Sequence, residues 1–120
     1  MKPPPTLLVI EDDASTRTLI IQALRDEGYN IVGAANGEDG WYELIRLKPQ
    51  LILLDLQMPL MTGWGFIQKM DQEGIPVPII IMSGMITTRA DALELGAVDM
   101  IRKPFTIEEL RTKVARHLGK

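Results

Sequence analysis

The feature that most constrains this chain is a rhythm of short apolar runs and longer stretches of helical spacing. The apolar runs are Thr6 to Ile10, Asn30 to Gly33, Leu51 to Leu54, Pro78 to Met82 and Val98 to Ile101. Between and after them lie amphipathic stretches: Ala14 to Glu27, Glu38 to Leu47, Gly63 to Gln72, Thr87 to Leu95, and one capped by Thr106 that runs to about Leu118. Strand alternating with helix predicts a parallel sheet with helices on both faces. The strands read as nearly unbroken apolar runs, as they must when both faces are covered. The expected fold is therefore α/β, a doubly wound five-stranded parallel sheet with five helices; of the common doubly wound strand orders, 2-1-3-4-5 is the one expected.

Local signals support the helix ends. Gly28, Gly74 and Gly96 stand where a C-terminal residue of positive φ is wanted, and Pro49 follows the second helix. Thr106 with Glu109 three residues on forms a capping box. On the first helix Leu19, Ile20, Ala23 and Leu24 are expected to share the buried face. Trp41, Leu44 and Ile45 are expected to do so on the second, and Phe66, Ile67 and Met70 on the third. Residues 1–5, Met-Lys-Pro-Pro-Pro, read as an extended lead-in, and the folded unit is expected over residues 6–118.

Composition narrows the function. The chain has 120 residues, the size of one ordinary domain, and 46% of them are hydrophobic, enough for a packed core. A net charge of −3 and a pI near 5.1 argue against direct nucleic-acid binding. The absence of cysteine removes thiol nucleophiles, disulfides and thiolate metal sites. No apolar stretch approaches the ~20 residues of a membrane span, so no membrane association and a cytoplasmic location are expected.

The strand ends carry the chemistry. Val9-Ile10 leads into Glu11-Asp12-Asp13, Leu51 to Leu54 into Asp55, Ile80 to Met82 into Ser83, and Met100-Ile101 toward Lys103-Pro104. Ligands of open α/β sheets bind outside the carboxyl ends of the strands, at the switch point of strand order. There the first and third strands would bring Glu11, Asp12 and Asp55 together. Their mutual repulsion asks for a hard divalent cation with oxygen ligands, and Mg²⁺ is the expected choice. A carboxylate in such a place can attack phosphorus and form an acyl phosphate. Ser83 offers a hydroxyl and Lys103 a compact positive charge to phosphoryl oxygens.

These segments resemble the response-regulator receiver domain, the CheY-like family of two-component signalling. The resemblance runs from about Thr6 to Leu118. It is carried by Leu-Val-Ile-Glu-Asp-Asp (8–13), Leu-Leu-Asp-Leu-Gln-Met-Pro (53–59) with Gly63, Ile-Ile-Met-Ser-Gly (80–84), Gly-Ala-Val-Asp (96–99) and Lys-Pro-Phe (103–105). The resemblance implies that Asp55 is the phosphoacceptor, taking a phosphoryl group from a phosphohistidine on a sensor histidine kinase or phosphotransfer domain. It implies Asp12 as a direct Mg²⁺ ligand, Glu11 as a helper through water, and the Gln57 carbonyl as a further ligand. Ser83 matches the switch hydroxyl, and Lys103 the site lysine, whose bond to Pro104 is commonly cis. Asp13 then starts the first helix. A conformational change would control a downstream protein or a fused output domain. Small-molecule turnover is not expected. Members often carry Tyr or Phe three residues before the lysine, where this chain has Met100. Gln57 and Met85 occupy positions that tune the acyl-phosphate lifetime.

Other residues have plainer readings. His117 is expected to be a solvated residue near the end of the last helix, favourable to its dipole and not a phosphodonor. Trp41 and Trp64 are expected to pack, as are Met58, Met61, Met82, Met85 and Met100. Pro59 and Gly63 shape a loop. Arg89, Asp99, Glu109 and Lys113 stand where receiver domains that pair through their fourth helix, fifth strand and fifth helix carry charges. That pattern is consistent with a homodimer formed on phosphorylation, and equally with solvated faces. Three rival functions are a phosphatase of haloacid-dehalogenase type, a flavodoxin-like flavin binder and an unphosphorylated scaffold. The first would need a second Asp where Gln57 stands. The second would bring phosphate against the three acids.

Overall fold

The computed structural model of the protein describes residues 3–57, 62–85 and 88–119. Five strands, β1 (Thr6–Ile10), β2 (Asn30–Ala34), β3 (Leu51–Asp55), β4 (Ile79–Ser83) and β5 (Asp99–Arg102), alternate with five helices. The helices are α1 (Ala14–Asp26), α2 (Gly37–Leu47), α3 (Gly63–Gln72), α4 (Arg89–Glu94) and α5 (Ile107–Leu118). Every strand pairing is parallel, and the order is β2-β1-β3-β4-β5. This is the doubly wound sheet expected from the sequence, with most element ends within a residue or so of those expected. The expected start of α4 at Thr87, and the loop readings of Met58, Pro59 and Met61, lie outside the described residues.

Alternation along each strand divides the interior into two cores. Leu8, Ile10, Ile52, Leu54 and Ile81 pack with Leu44 of α2, Phe66, Ile67 and Met70 of α3, and Ala92 of α4. Their neighbours Leu7, Val9, Leu51, Leu53 and Ile80 pack on the other face with Ile20, Ala23 and Leu24 of α1 and Leu110 and Val114 of α5. The unbroken apolar runs are thus two alternating patterns superposed.

The helix ends follow the local signals. Asp13, Asn36, Thr62, Thr88 and Thr106 cap the five helices, each accepting from a backbone N–H three residues on. Gly28, Gly74 and Gly96 take positive φ just beyond α1, α3 and α4. The second helix stops on Lys48, which adopts the left-handed conformation ahead of Pro49.

Two expected core residues are not buried. Leu19 is 49% exposed, because the stripe of α1 that meets the sheet is centred on Ile20, Ala23 and Leu24. Ile45 is 53% exposed. Gly40 lies so close to β1 that a Cβ there would come 2.5 Å from Ile10 Cδ1. This turns Gly37, Gly40 and Leu44 inward and leaves Ile45 about 100° round the helix axis. Trp41 packs as expected, edge-on to Phe66 at 5.7 Å between ring centroids, with Lys69 Nζ 4.3 Å above its ring. Trp64 differs and stands half-exposed. Met82 and Met100 are buried, whereas Met85 is exposed, because it sits on the loop that leaves β4.

Candidate functional site

The strand register explains why distant residues meet. Ile10 pairs with Leu54, Asp55 with Met82, and Ser83 with Arg102. Glu11, Asp55, Ser83 and Lys103 therefore end or follow β1, β3, β4 and β5 at one edge of the sheet. Glu11, Asp55 and Ser83 are buried, while Asp12 is exposed.

Three carboxylates converge at this edge. Ligand oxygens of Glu11, Asp12 and Asp55 all lie within 4.8 Å of one another. Lys103 reaches over them: its Nζ donates to Glu11 Oε1 at 2.5 Å and lies 3.5 Å from Asp55 Oδ2. The other Asp55 oxygen, Oδ1, accepts from the Gln57 amide at 3.1 Å. That contact holds the Gln57 amide beside Asp55. Ser83 Oγ accepts from the Met85 amide at 2.9 Å. The Lys103 amide donates to the Ser83 carbonyl at 3.0 Å, which ties β5 to β4 at the site. The Lys103–Pro104 peptide bond is cis.

Glu11 is held on every side. Its amide donates to the Ala34 carbonyl at 3.0 Å, and its carbonyl accepts from Arg17 Nη1 at 2.8 Å. Its carboxylate accepts from Lys103 and, at 3.2 Å, from the Asp13 amide. Burial pushes this carboxyl up to about 7, and the nearby Asp55 charge adds to that, against the opposing pull of Lys103 and the Asp13 amide. Burial also works against the Lys103 charge, but Glu11 and Asp55 outweigh it and hold the amine above the usual lysine range. Asp13 turns away from the cluster to cap α1 through Thr16, and those bonds hold its carboxyl below the usual range.

This donor set suits a hard divalent cation. The three acids offer only oxygen donors, two of them are buried, and their shared negative charge is only partly met by Lys103. A concavity lies away from this edge. It has a volume of about 700 Å³, sits between α3 and the α4–β5 turn, and is lined by residues such as Ile67, Ile75 and Leu95. None of the acids, Ser83 or Lys103 lines it.

Comparison with known proteins agrees with the geometry. The family model described as response regulator receiver domain matches residues 7–115. The chain belongs to the response regulator receiver family. This receiver domain is 39% identical to ycf27 of Porphyridium aerugineum, described as a probable transcriptional regulator. The match covers 90% of this chain and 45% of that protein. It is 34% identical to the transcriptional regulatory protein DltR of Streptococcus agalactiae, over 90% of this chain and 49% of that protein. The chain thus spans about half the length of these curated relatives. Among solved structures it resembles the signal receiver domain of a protein described as a LuxO repressor from Vibrio parahaemolyticus. There the TM-score is 0.89 at 35% identity, covering 97% of this chain and 91% of that one. It also resembles the chemotaxis protein CheY4 of Vibrio cholerae, with a TM-score of 0.85 at 26% identity over 94% of this chain and 98% of that one.

Two expectations about the last third need correction. His117 is not a solvated residue. Its side chain is 16% exposed, and Nε2 lies 2.9 Å from Asp99 Oδ2. Asp99 is not a surface charge either, being 1% exposed at the start of β5. Lys113 Nζ donates to Asp99 Oδ1 at 3.2 Å and also to the Met100 carbonyl, and Asp99 Oδ1 accepts from the Met100 amide. Arg89 and Arg116 stand farther off, at 3.9 and 4.0 Å. Burial pushes the Asp99 carboxyl up, but the bonds from His117, Met100 and Lys113 together hold it below the usual range. The reason is register: Asp99 pairs with Ile80, which turns its side chain under α5 and not out to solvent. Glu109 closes the capping box with Thr106, as its spacing predicts.

Proposed function

We propose that this receiver domain, over residues 6–118, accepts a phosphoryl group on Asp55 from a phosphohistidine of a sensor histidine kinase or phosphotransfer domain. An Asp55 oxygen attacks phosphorus, the new O–P bond forms and the P–N bond to the donor imidazole breaks. The imidazole leaves with the bonding electron pair and takes up a proton. Lys103 offers its ammonium to one phosphoryl oxygen and Ser83 its hydroxyl to another, so charge that builds on the group meets fixed partners. Glu11, Asp12, Asp55 and the Gln57 carbonyl would hold Mg²⁺, which when bound offsets the negative charge of the acids and the phosphoryl group. Water later cleaves the acyl phosphate and restores Asp55, so the domain turns over its own phosphate and no small-molecule substrate.

The observation that carries this reading is the meeting of the acids on β1 and β3 with Lys103 after β5. Lys103 Nζ stands within 3.5 Å of Asp55, and the three acids share a space 4.8 Å across. A phosphatase of haloacid-dehalogenase type lacks its second acid here, because Gln57 occupies that place. Incubation with acetyl phosphate and Mg²⁺, followed by intact mass, tests the proposal. One added phosphoryl group is expected, lost in Asp55→Asn and without Mg²⁺. No gain from acetyl phosphate or phosphoramidate would leave the scaffold reading standing.

Phosphorylation is proposed to shift the domain between two conformations, and so to control a partner protein or a fused output domain. Met100 is buried in the β4–β5 region where family members often carry an aromatic ring, so methionine would repack there. Pairing of two phosphorylated copies through the α4–β5–α5 face belongs to the same reading. Sedimentation with and without beryllofluoride tests it, and a monomer in both conditions rejects it. A cytoplasmic location fits this role. Among the described residues no helix is long and apolar enough to cross a membrane.

A further inference from the structure

We infer that Arg17 is a positioning residue for the divalent-cation site, and that Gly33 of β2 is the gap that lets it act. The inference rests on the cation site proposed above. Arg17 lies on α1, one turn beyond the Asp13 cap, and is half-buried. Among the described residues its guanidinium forms no ion pair within 4.0 Å, although its charge helps hold the Asp13 carboxyl low. Instead Nη1 donates to the main-chain carbonyl of Glu11 at 2.8 Å.

That carbonyl lies in the same rigid peptide plane as the Asp12 N–H. Fixing its direction fixes the plane between Glu11 and Asp12, and so the direction in which Asp12 leaves β1. The Glu11 amide is pinned to Ala34 and the Glu11 carboxylate to Lys103. The Asp13 amide also donates to that carboxylate, and Arg17 adds the restraint on the Glu11 carbonyl, the polar group that shares the peptide plane with the Asp12 N–H. Asp12 is the exposed member of the acidic trio and Asp13 faces the helix, so the aim of Asp12 depends on its backbone.

The path of the Arg17 side chain depends on Gly33. A Cβ at position 33 would come 3.1 Å from Arg17 Cδ, 3.2 Å from Arg17 Cγ and 2.7 Å from Ile21 Cδ1. The arginine stem therefore lies flat across the glycine on its way to the Glu11 carbonyl. Arg17 and Gly33, neither of them a member of the acidic trio, set the geometry of the acidic loop from outside it. Partners of this kind typically change metal affinity 10–100-fold.

The test is Mg²⁺ titration of the metal-free protein by calorimetry, with backbone amide spectra taken before metal is added. Arg17→Met keeps the stem and removes the donors. Gly33→Ala keeps the guanidinium and crowds the stem that carries it. Arg25→Met is the control, since Arg25 on the same helix reaches a main-chain carbonyl away from the acids, that of Ile31 in β2, at 3.4 Å. Arg17→Met is expected to bind Mg²⁺ about tenfold more weakly, with displaced amide signals at Asp12 and Asp13. Gly33→Ala is expected to shift affinity and signals in the same direction, and it decides the matter if Arg17→Met does not fold. Arg25→Met is expected to bind like wild type. Unchanged Mg²⁺ affinity in Arg17→Met, or an equal loss in Arg25→Met, overturns the role of Arg17 and leaves the cation site intact. No Mg²⁺ binding by the wild-type protein overturns the cation site itself, and this inference with it.

Discussion

At the residue scale, Glu11 is the group most altered by the fold. It sits fully buried beside Asp55 and Lys103, with its carboxyl raised to about 7. A folded carboxyl above its ordinary value of 4.5 keeps a proton that the unfolded chain has released. The sign of linkage follows: without metal, the fold loses stability as pH rises from about 4.5 to about 7. Denaturant midpoints in the presence of a chelator check this, and a midpoint that climbs across that window contradicts it. With Glu11 in the proposed Mg²⁺ site, binding is expected to expel a proton and to weaken as pH falls below about 7. Calorimetry in two buffers of different ionisation enthalpy reads that proton, and identical heats would exclude its release. The acids at the strand ends were legible in the sequence because each follows an apolar run. The state of Glu11 was not, because the burial that raises it comes from packing of distant segments, and Lys103, which opposes the shift, lies 92 positions away.

At the element scale, two packing details hold the site in place. The first turn of α3 presses on the end of β3. A Cβ at Gly63 would lie 2.6 Å from Leu56 Cα and 2.7 Å from the Asp55 carbonyl oxygen, and both of these are backbone atoms. Gly63→Ala is therefore expected to lower stability by about 1–3 kcal/mol. It should also slow labelling of Asp55 by acetyl phosphate, because the backbone that carries the carboxylate must move. Equal labelling rates in mutant and wild type would show that the loop absorbs the methyl group. At the other edge, β5 is fastened to α5 through Asp99, Lys113 and His117. Asp99→Ala is expected to cost about 1.5–3 kcal/mol, since it removes the acceptor of a charged hydrogen bond. The Asp99 carboxyl is held below its ordinary value, so its contribution is complete above about pH 3.8 and disappears as pH falls through the lower folded value. Wild type should therefore lose more stability than Asp99→Ala on acidification, as read from thermal midpoints. Helix caps, stops and the Thr106–Glu109 box were readable locally, because each is decided within a few residues. The Asp99 cluster was misread as surface charge. An acid followed by helical cations looks the same in sequence whether the helix covers it or not.

At the scale of the whole molecule, one sheet serves two cores, and the site lies where neither core continues. Phe66 is fully buried between the sheet and Trp41, and Phe66→Ala is expected to cost about 3–5 kcal/mol. A denaturant midpoint shifted by less than about 1 kcal/mol equivalent would show that α3 collapses into the space. By itself, the sequence determined the alternation of strand and helix, the parallel doubly wound sheet, and the convergence of Glu11, Asp12, Asp55, Ser83 and Lys103 on one edge. These follow from periodicity and from the rule that a parallel sheet gathers its strand ends. Only the tertiary structure decided that Leu19 and Ile45 fall outside the buried stripes, that Asp99 and His117 pair beneath α5, and that Arg17 crosses Gly33 to reach the Glu11 carbonyl. Those outcomes depend on how helices sit against the sheet and where long side chains run. Such placements are settled by packing between segments, and no short-range pattern in the chain encodes them.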